Sequence, residues 1–356
     1  MNGDNDGKKL RAAIVGGSGY TGGELLRIAL EHPLIKLEAV TSRGQKRRSV
    51  TKAHPNLRGA TDLRFVEPGE LVQRGEEKKF DLIFLATPHG KSMELVEEFI
   101  PLTEVLVDLS GDFRLRGAEE YEQWYGKRHT RPDLLDKFVY GMPELYRSQL
   151  REARLIASPG CTATSAIIPL KPLAESFGED IVDVVVDAKV GSSAGGASPN
   201  AGSHHPERRD VVRSYAPCGH RHTAEMEQEL GISVSFSPHA VEMVRGILAT
   251  IHLSLDREYE EKEIWSIYRD SYGEEPFVRF VKERKGLYRY PEPKLLRGTN
   301  FFEIGFEKDQ RTGRLVIMAA LDNLVKGAAG QAVQAANLAF GLEEKTGLGR
   351  VGLHPA

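Results

Sequence analysis

The feature that most constrains this chain lies near its start. An apolar run, Ala12 to Gly16, enters the glycine turn Gly16-Gly17-Ser18-Gly19-Tyr20-Thr21-Gly22, and a helical pattern follows from Gly22 to Glu31. Counted from Gly17, the turn reads G-x-G-x-x-G between a strand and a helix, the context that makes this pattern a dinucleotide-binding fingerprint. Missing side chains permit a tight turn and let backbone N–H groups approach a pyrophosphate. The helix N-terminus adds partial positive charge. Short apolar runs recur at Lys36 to Thr41, Leu82 to Ala86 and Val105 to Leu109. Strand, helix and strand in succession demand parallel pairing through crossovers. Residues 1–160 are therefore expected to form an α/β Rossmann domain with a doubly wound sheet.

The end of the second predicted strand selects the cofactor. An NAD site places Asp or Glu there, on the ribose hydroxyls. This chain has Thr41, Ser42 and Arg43 instead. A carboxylate would repel a 2′-phosphate, whereas hydroxyls and a guanidinium accept one. The reading is NADP(H).

From about Gly160 the texture changes. Ile181 to Ala188, Ile247 to Ser254, Asn300 to Glu307 and Leu315 to Leu321 read as longer strands, with helices at Ala224 to Leu230 and Lys262 to Tyr272. This predicts an α+β catalytic domain over 161–322 with a mainly antiparallel sheet. A last helix, about 323–345, carries an apolar stripe at Ala328 to Leu338 and is expected to complete the first domain. The length of 356 residues suits two domains. A balance of 48 Lys plus Arg against 51 Asp plus Glu gives −3, which argues against a nucleic-acid binder. Met1 to Lys9 is polar, lacks an apolar signal core and reads as disordered. No apolar stretch approaches the roughly 20 residues that cross a bilayer. The expectation is a soluble cytoplasmic protein, without membrane or nucleic-acid partners.

Two cysteines, Cys161 and Cys218, do not make a disulfide scaffold and point to a reducing compartment. In Ser158-Pro159-Gly160-Cys161-Thr162-Ala163, a Pro-Gly turn precedes small residues that suit a helix. Cys161 is thereby placed at a helix N-terminus, where the dipole favours thiolate, and reads as a nucleophile rather than a core residue. The run Cys218-Gly219-His220-Arg221-His222-Thr223 precedes a helix that Thr223 could cap. Histidine suits the proton donor and acceptor that a thiol nucleophile needs. His220 and His222 would point opposite ways if extended, so one of the two is expected to face the thiol. A metal site is the rival, with His204, His205, Cys218, His220 and His222 as potential ligands, but their spacing matches no closed zinc pattern and none is expected. The Gly/Ser loop after Lys189, with Ser192 and Ser193, offers donors to phosphate or carboxylate oxygens. Beyond it His204, His205, Arg208 and Arg213 could receive an acidic partner. The same composition also suits a plain surface loop.

Together these motifs resemble the N-acetyl-glutamyl-phosphate reductase family. The turn GGSGYTGGE, then SGDFRL, YGMPEL, SPGCTAT, HRHTAEMEQEL, VEMVRGIL and DNLVKGAAGQAVQ carry the resemblance over nearly the whole chain. It implies an NADP-dependent acyl-phosphate reductase, a phosphorylating semialdehyde dehydrogenase with a Rossmann domain and a glyceraldehyde-phosphate-dehydrogenase-like catalytic domain, in a homodimer or homotetramer. It implies Cys161 as nucleophile forming a thioester and His220 as acid/base. Gly16, Gly17, Ser18, Gly19 and Thr41 to Arg43 would hold NADP, with Asn323 reaching back to it. Two departures matter. Thr162 and Ala163 follow the cysteine where Tyr-Pro is usual, and the substrate loop is the longer VGSSAGGASPNAGSHHPERR. With HPNLRG, YRYPEPK and the ending GLHP, they resemble the lysine-biosynthesis branch. There the substrate is aminoadipyl phosphate attached to a small acidic amino-group carrier protein, or the carrier-linked glutamyl phosphate of arginine biosynthesis. That branch would use Ser192, Ser193, His204, His205, Arg208, Arg213, His222 and Arg245 toward substrate and carrier. The alternatives are the same chemistry on free N-acetyl-glutamyl phosphate and a non-catalytic NADP-responsive regulator.

Overall fold

A computed structural model describes residues 9–355, which divide into two compact units. The expected disordered start, Lys9 apart, lies outside the described residues. Among the described residues, no helix is long and apolar enough to cross a membrane.

The first unit takes residues up to 114, then 129–158 and 332–348. Its strands are β1 (Leu10–Val15), β2 (Ile35–Val40), β3 (Phe80–Leu85), β4 (Thr103–Asp108), β5 (Val139–Tyr140) and β6 (Leu155–Ala157). All pair in parallel, in the order β2-β1-β3-β4-β6-β5. Ala12 to Ile14 and Leu82 to Leu85 are wholly buried, the continuous apolar reading that a sheet covered on both faces requires. Strand order reverses between β1 and β3, where a doubly wound sheet leaves a crevice beyond its strand ends. Gly16 follows β1 at that point, and Ala86 follows β3. The returning segment is tied by Arg147 to Glu344 at 2.7 Å and by His32 to Asn337 at 3.1 Å. It joins this unit from residue 332 rather than 323, and its helix, Gly330–Ala339, stops short of 345.

The second unit takes residues 115–128, 159–331 and 349–355, so the helix Ala118–Tyr125 belongs here and not to the cofactor unit as the sequence division had it. Its strands are β7 (Ile181–Val190), β8 (Val212–Ser214), β9 (Ser235–Val241), β10 (Ile247–Leu255), β11 (Val278–Phe280), β12 (Phe302–Lys308) and β13 (Leu315–Leu321). The order is β11-β12-β13-β10-β7-β9-β8. Only β11 with β12 and β7 with β9 run parallel, so the sheet is mainly antiparallel. Alternation along β7 buries Val184, Val186, Ala188 and Val190 while Asp187 and Lys189 stay half-buried on the other face.

The helix Cys161–Phe177 is buried along most of its length although it contains Pro169 and Pro172. Proline lacks an N–H, so Pro172 leaves the carbonyl four residues back without its helical donor. That carbonyl is Ile168's, and the Tyr272 phenol donates to it at 2.7 Å. Tyr268 does the same for Pro169 at 2.8 Å. Both tyrosines lie on the helix Glu261–Tyr272, which thereby props the cysteine-bearing helix.

Candidate active site

In the first unit the glycine turn has no room for a side chain at Gly16, Gly17 or Gly22. A Cβ on Gly17 would fall 2.2 Å from Val40 Cγ2, and one on Gly22 would fall 2.6 Å from Gly17 Cα. Gly16 has φ +86°, and a Cβ there would meet the Ala86 carbonyl at 2.5 Å. Gly19 ends the turn as the N-cap of the helix Tyr20–Glu31, and neither a capping side chain nor a first-turn carboxylate competes for its start. That leaves helix-end N–H groups for an anion. Tyr20 is exposed.

The residues after β2 divide the work. Thr41 and Ser42 are buried. The Gly17 N–H donates to the Thr41 carbonyl at 2.8 Å, the Gly16 N–H to Thr41 Oγ1 at 3.2 Å, and Ser42 Oγ to Ser18 Oγ at 2.8 Å. These hydroxyls brace the turn, while Arg43 is exposed. No carboxylate stands among the three, so the strand end suits a phosphorylated ribose rather than a free one. At the end of β4, Asp108 is fully buried and accepts from Ser92 Oγ at 2.5 Å and Ser110 Oγ at 2.7 Å. Burial, and then the neighbouring Asp112 charge, push its carboxyl up to about 6. Asp112 accepts the Gly90 and Met93 N–H groups at 2.6 and 3.1 Å and so fixes the loop that ends in the helix Ser92–Phe99.

In the second unit Cys161 is the first residue of its helix, after the N-cap Gly160, and is partly exposed. Gly327 sits on a π-helical turn, Val325–Ala329, where a Cβ would fall 2.7 Å from Cys161 Cβ. The backbone of that turn therefore packs directly on the cysteine. The Gly160 N–H donates to Glu225 Oε2 at 2.9 Å, and Glu225 is fully buried. His222 Nδ1 and Thr162 Oγ1 are 2.5 Å apart, and its Nε2 lies 3.8 Å from Glu225 Oε1.

His220 and His222 are not extended, the one condition under which they would point opposite ways. The helix starts at His222 with Arg221 as N-cap, and Thr223 lies inside it with its N–H on the His220 carbonyl, so Thr223 is not the cap. A helix start lets both imidazoles be buried together, at 4.7 Å between ring centroids. His220 Nδ1 accepts the His222 N–H at 3.2 Å, so a neutral ring carries its proton on Nε2. Burial, and then the Arg221 charge, push His220 down to about 4. Tyr215 stacks edge-on to His220 at 6.0 Å. Burial and the nearby Cys161 push its phenol up to about 12, and the left-handed φ of +47° at Ala216 marks a strained turn beside it.

The other predicted residues separate. Ser193 is buried and exchanges hydrogen bonds with the Asn323 side chain, whose Oδ1 also takes the Gly246 N–H at 2.8 Å; Ser192 is half-buried. Asn323 is thus engaged within the second unit. Arg245 is held by buried Asp322 at 3.0 Å. Arg208 is directed onto the Val190 and Val241 carbonyls, joining strand ends. Arg213 meets Glu207, while His204 and His205 are exposed. Among the described residues no group of three or more His, Cys, Asp or Glu could hold a metal ion. Sequence reasoning missed Glu225, Tyr215 and Gly327. Glu225 stood three residues after His222, a helical spacing that could have flagged it.

Residues 11–153 match the semialdehyde dehydrogenase NAD binding domain and residues 161–323 the semialdehyde dehydrogenase dimerisation domain. The chain is 51% identical, over 98% of both chains, to a Haloquadratum walsbyi protein named LysW-L-2-aminoadipate/LysW-L-glutamate phosphate reductase. It is 49% identical, over 98% of this chain and 99% of the other, to a Deinococcus radiodurans protein named LysW-L-2-aminoadipate 6-phosphate reductase. Its fold is that of a probable aspartate-semialdehyde dehydrogenase from Pseudomonas aeruginosa, with TM-score 0.69 at 18% identity, covering 94% of this chain and 99% of that one. With both domains matched in order, the chain belongs to the semialdehyde dehydrogenase family and, within it, to the group of the LysW-linked aminoadipate and glutamate phosphate reductases.

Proposed function

We propose that this chain reduces an aminoadipyl or glutamyl acyl phosphate, carried on a LysW-type protein, to the semialdehyde with NADPH in lysine or arginine biosynthesis. The observation that carries the reading is Cys161 at a helix start, partly exposed, with Gly327 packed on it, Gly160 leaving room for His222 and Glu225, and a pair of buried imidazoles of which His222 reaches Thr162 in the first turn. The Cys161 sulfur attacks the acyl carbon and the bond to the phosphate oxygen breaks, leaving a thioester and a phosphate that takes up one proton. NADPH, when bound at the glycine turn, supplies the hydride that reduces the thioester carbon. The resulting oxyanion on the cysteine adduct collapses, the C–S bond breaks, and the semialdehyde leaves a thiolate behind.

His220 is neutral at working pH and carries its proton on Nε2, which suits it to donate a hydrogen bond to the developing oxyanion, while the departing phosphate takes its proton from the solvent. His222, bound through Nδ1 to Thr162 and directed at Glu225, orients the start of the Cys161 helix. Arg245, fixed by Asp322, supplies positive charge toward the substrate. The segment His204 to Arg213 meets the carrier in this reading, with Arg208 acting as its anchor to the sheet. The protein works in the cytoplasm as a homo-oligomer. The test is NADPH oxidation with carrier-linked aminoadipyl phosphate, carrier-linked glutamyl phosphate and N-acetyl-glutamyl phosphate side by side. Turnover restricted to the carrier-linked compounds supports the reading. Turnover with the acetylated compound alone replaces it.

A further inference from the structure

We propose that His54 is a positioning residue of the cofactor site, acting by locking the Gly17–Ser18 peptide of the glycine turn in one orientation; the inference rests on the NADPH-dependent reading above. His54 opens the HPNLRG segment, whose role the reaction leaves unassigned. The side chain is buried, and its Nε2 lies 2.7 Å from the Gly17 carbonyl oxygen. A carbonyl can only accept, so Nε2 is the donor. The ring lies where a Cβ on Gly23 would stand, 2.5 Å from its Cε1 and Nδ1. Gly23 therefore has a reason to be glycine that the fingerprint pattern does not supply: it makes room for the imidazole.

The backbone around His54 is built to hold it there. Ser49 Oγ accepts the Thr51 N–H at the start of the short helix Val50–Ala53, and the His54 N–H closes that turn on the Val50 carbonyl at 2.9 Å. Val50 N–H donates to the Leu63 carbonyl, and Arg48 and Phe65 pair through the Phe65 N–H. This segment is pinned before the ring reaches the turn.

The consequence follows from peptide geometry. In a trans peptide the C=O and the following N–H point in opposite directions. Holding the Gly17 carbonyl against His54 aims the Ser18 N–H the other way, and the Gly17 N–H is already committed to Thr41. Glycine flips its peptide readily, because no Cβ resists the change. A flip here would present a carbonyl oxygen where a phosphate needs an N–H. His54 opposes that flip without touching the cofactor.

The experiment uses the full-length protein and two readouts. NADPH affinity is measured by fluorescence in the binary complex, and Cys161 acylation by intact mass after incubation with acyl phosphate and no NADPH. His54→Ala and Gly23→Ala should each weaken NADPH binding about tenfold, the worth of one buried hydrogen bond, with acylation unchanged. His54→Gln, which keeps a donor, should recover to within about threefold of wild type, whereas His54→Leu, which keeps bulk alone, should not. NADPH affinity within twofold of wild type in His54→Ala, or full affinity in His54→Leu with no recovery in His54→Gln, overturns the proposal. Failure of wild-type Cys161 to acylate would instead overturn the reductase reading and leave the NADPH comparison to decide His54.

Discussion

The glycine turn and the cysteine helix start solve related problems by opposite means. In the proposed reaction each puts the N-terminal end of a helix where negative charge is to be received. The turn does so with backbone alone, from Gly16 to Gly22, braced by Thr41 and Ser42 from the next strand. The cysteine site draws Gly160 to Thr162, Tyr215 to Glu225 and Gly327 together from distant parts of the chain. Their buried titratable groups contrast as well. Asp108 at the end of β4 is pushed up and His220 against His222 is pushed down, so burial drives both toward their neutral forms. An anion site made of amides survives many side-chain changes, whereas a nucleophile site depends on each of a few side chains.

That contrast breaks most sharply at the sulfur. Cys161→Ser should lower reductase turnover by a factor on the order of 10⁴ while NADPH affinity stays unchanged; steady-state NADPH oxidation and a binding titration read the two separately. Gly17→Ala is the converse. Its Cβ would collide with Val40, and NADPH binding should weaken roughly 100-fold, the scale of an overpacked site, with acylation of Cys161 retained in the mass spectrum.

Stability against pH sharpens the comparison further. Asp108 binds its proton more tightly folded than unfolded, so its contribution is full below pH 3.8 and is lost as pH rises to about 6. The swing is about 3 kcal/mol at most, and Asp108→Asn should flatten it in urea titrations across that window. His220 has the opposite sign. Its folded form releases the proton more readily, so stability is full above 6.5 and is lost as pH falls toward about 4, by a similar amount. His220→Asn should remove that acid loss. The smallest effect is expected at the exposed Arg43: Arg43→Ala should cost NADPH about fivefold and NADH nothing, as befits a solvated charge pair.

The parts of the molecule that could be read directly were those whose physics is local. The strand before Gly16, the turn itself and the helix to Glu31 are contiguous, and one residue after another states the same geometry. The same holds for Cys161, whose Pro-Gly turn and following small residues announce a helix start. Four long strands of the second sheet were visible as apolar runs; β9, with the polar residues Ser235, Ser237 and His239 along it, was not, and neither were the short β5, β6, β8 and β11, because two or three residues carry no periodicity. His220 and His222 misled for a related reason: a helix boundary two residues earlier than the expected start at Ala224 turned an alternating pair into a buried one.

Chain order and residue type were enough for the Rossmann start, the missing acidic residue at the ribose and a thiol at a helix N-terminus. Folding alone decided that Gly327 backs Cys161, that Tyr272 covers the carbonyl freed by Pro172, that Asn323 bonds Ser193, and that His54 occupies the space left by Gly23. Each of these joins residues tens to more than a hundred positions apart. Hydrogen bonds and excluded volume act over a few ångströms of space, and a linear pattern holds no record of which distant atoms the fold will bring within that reach.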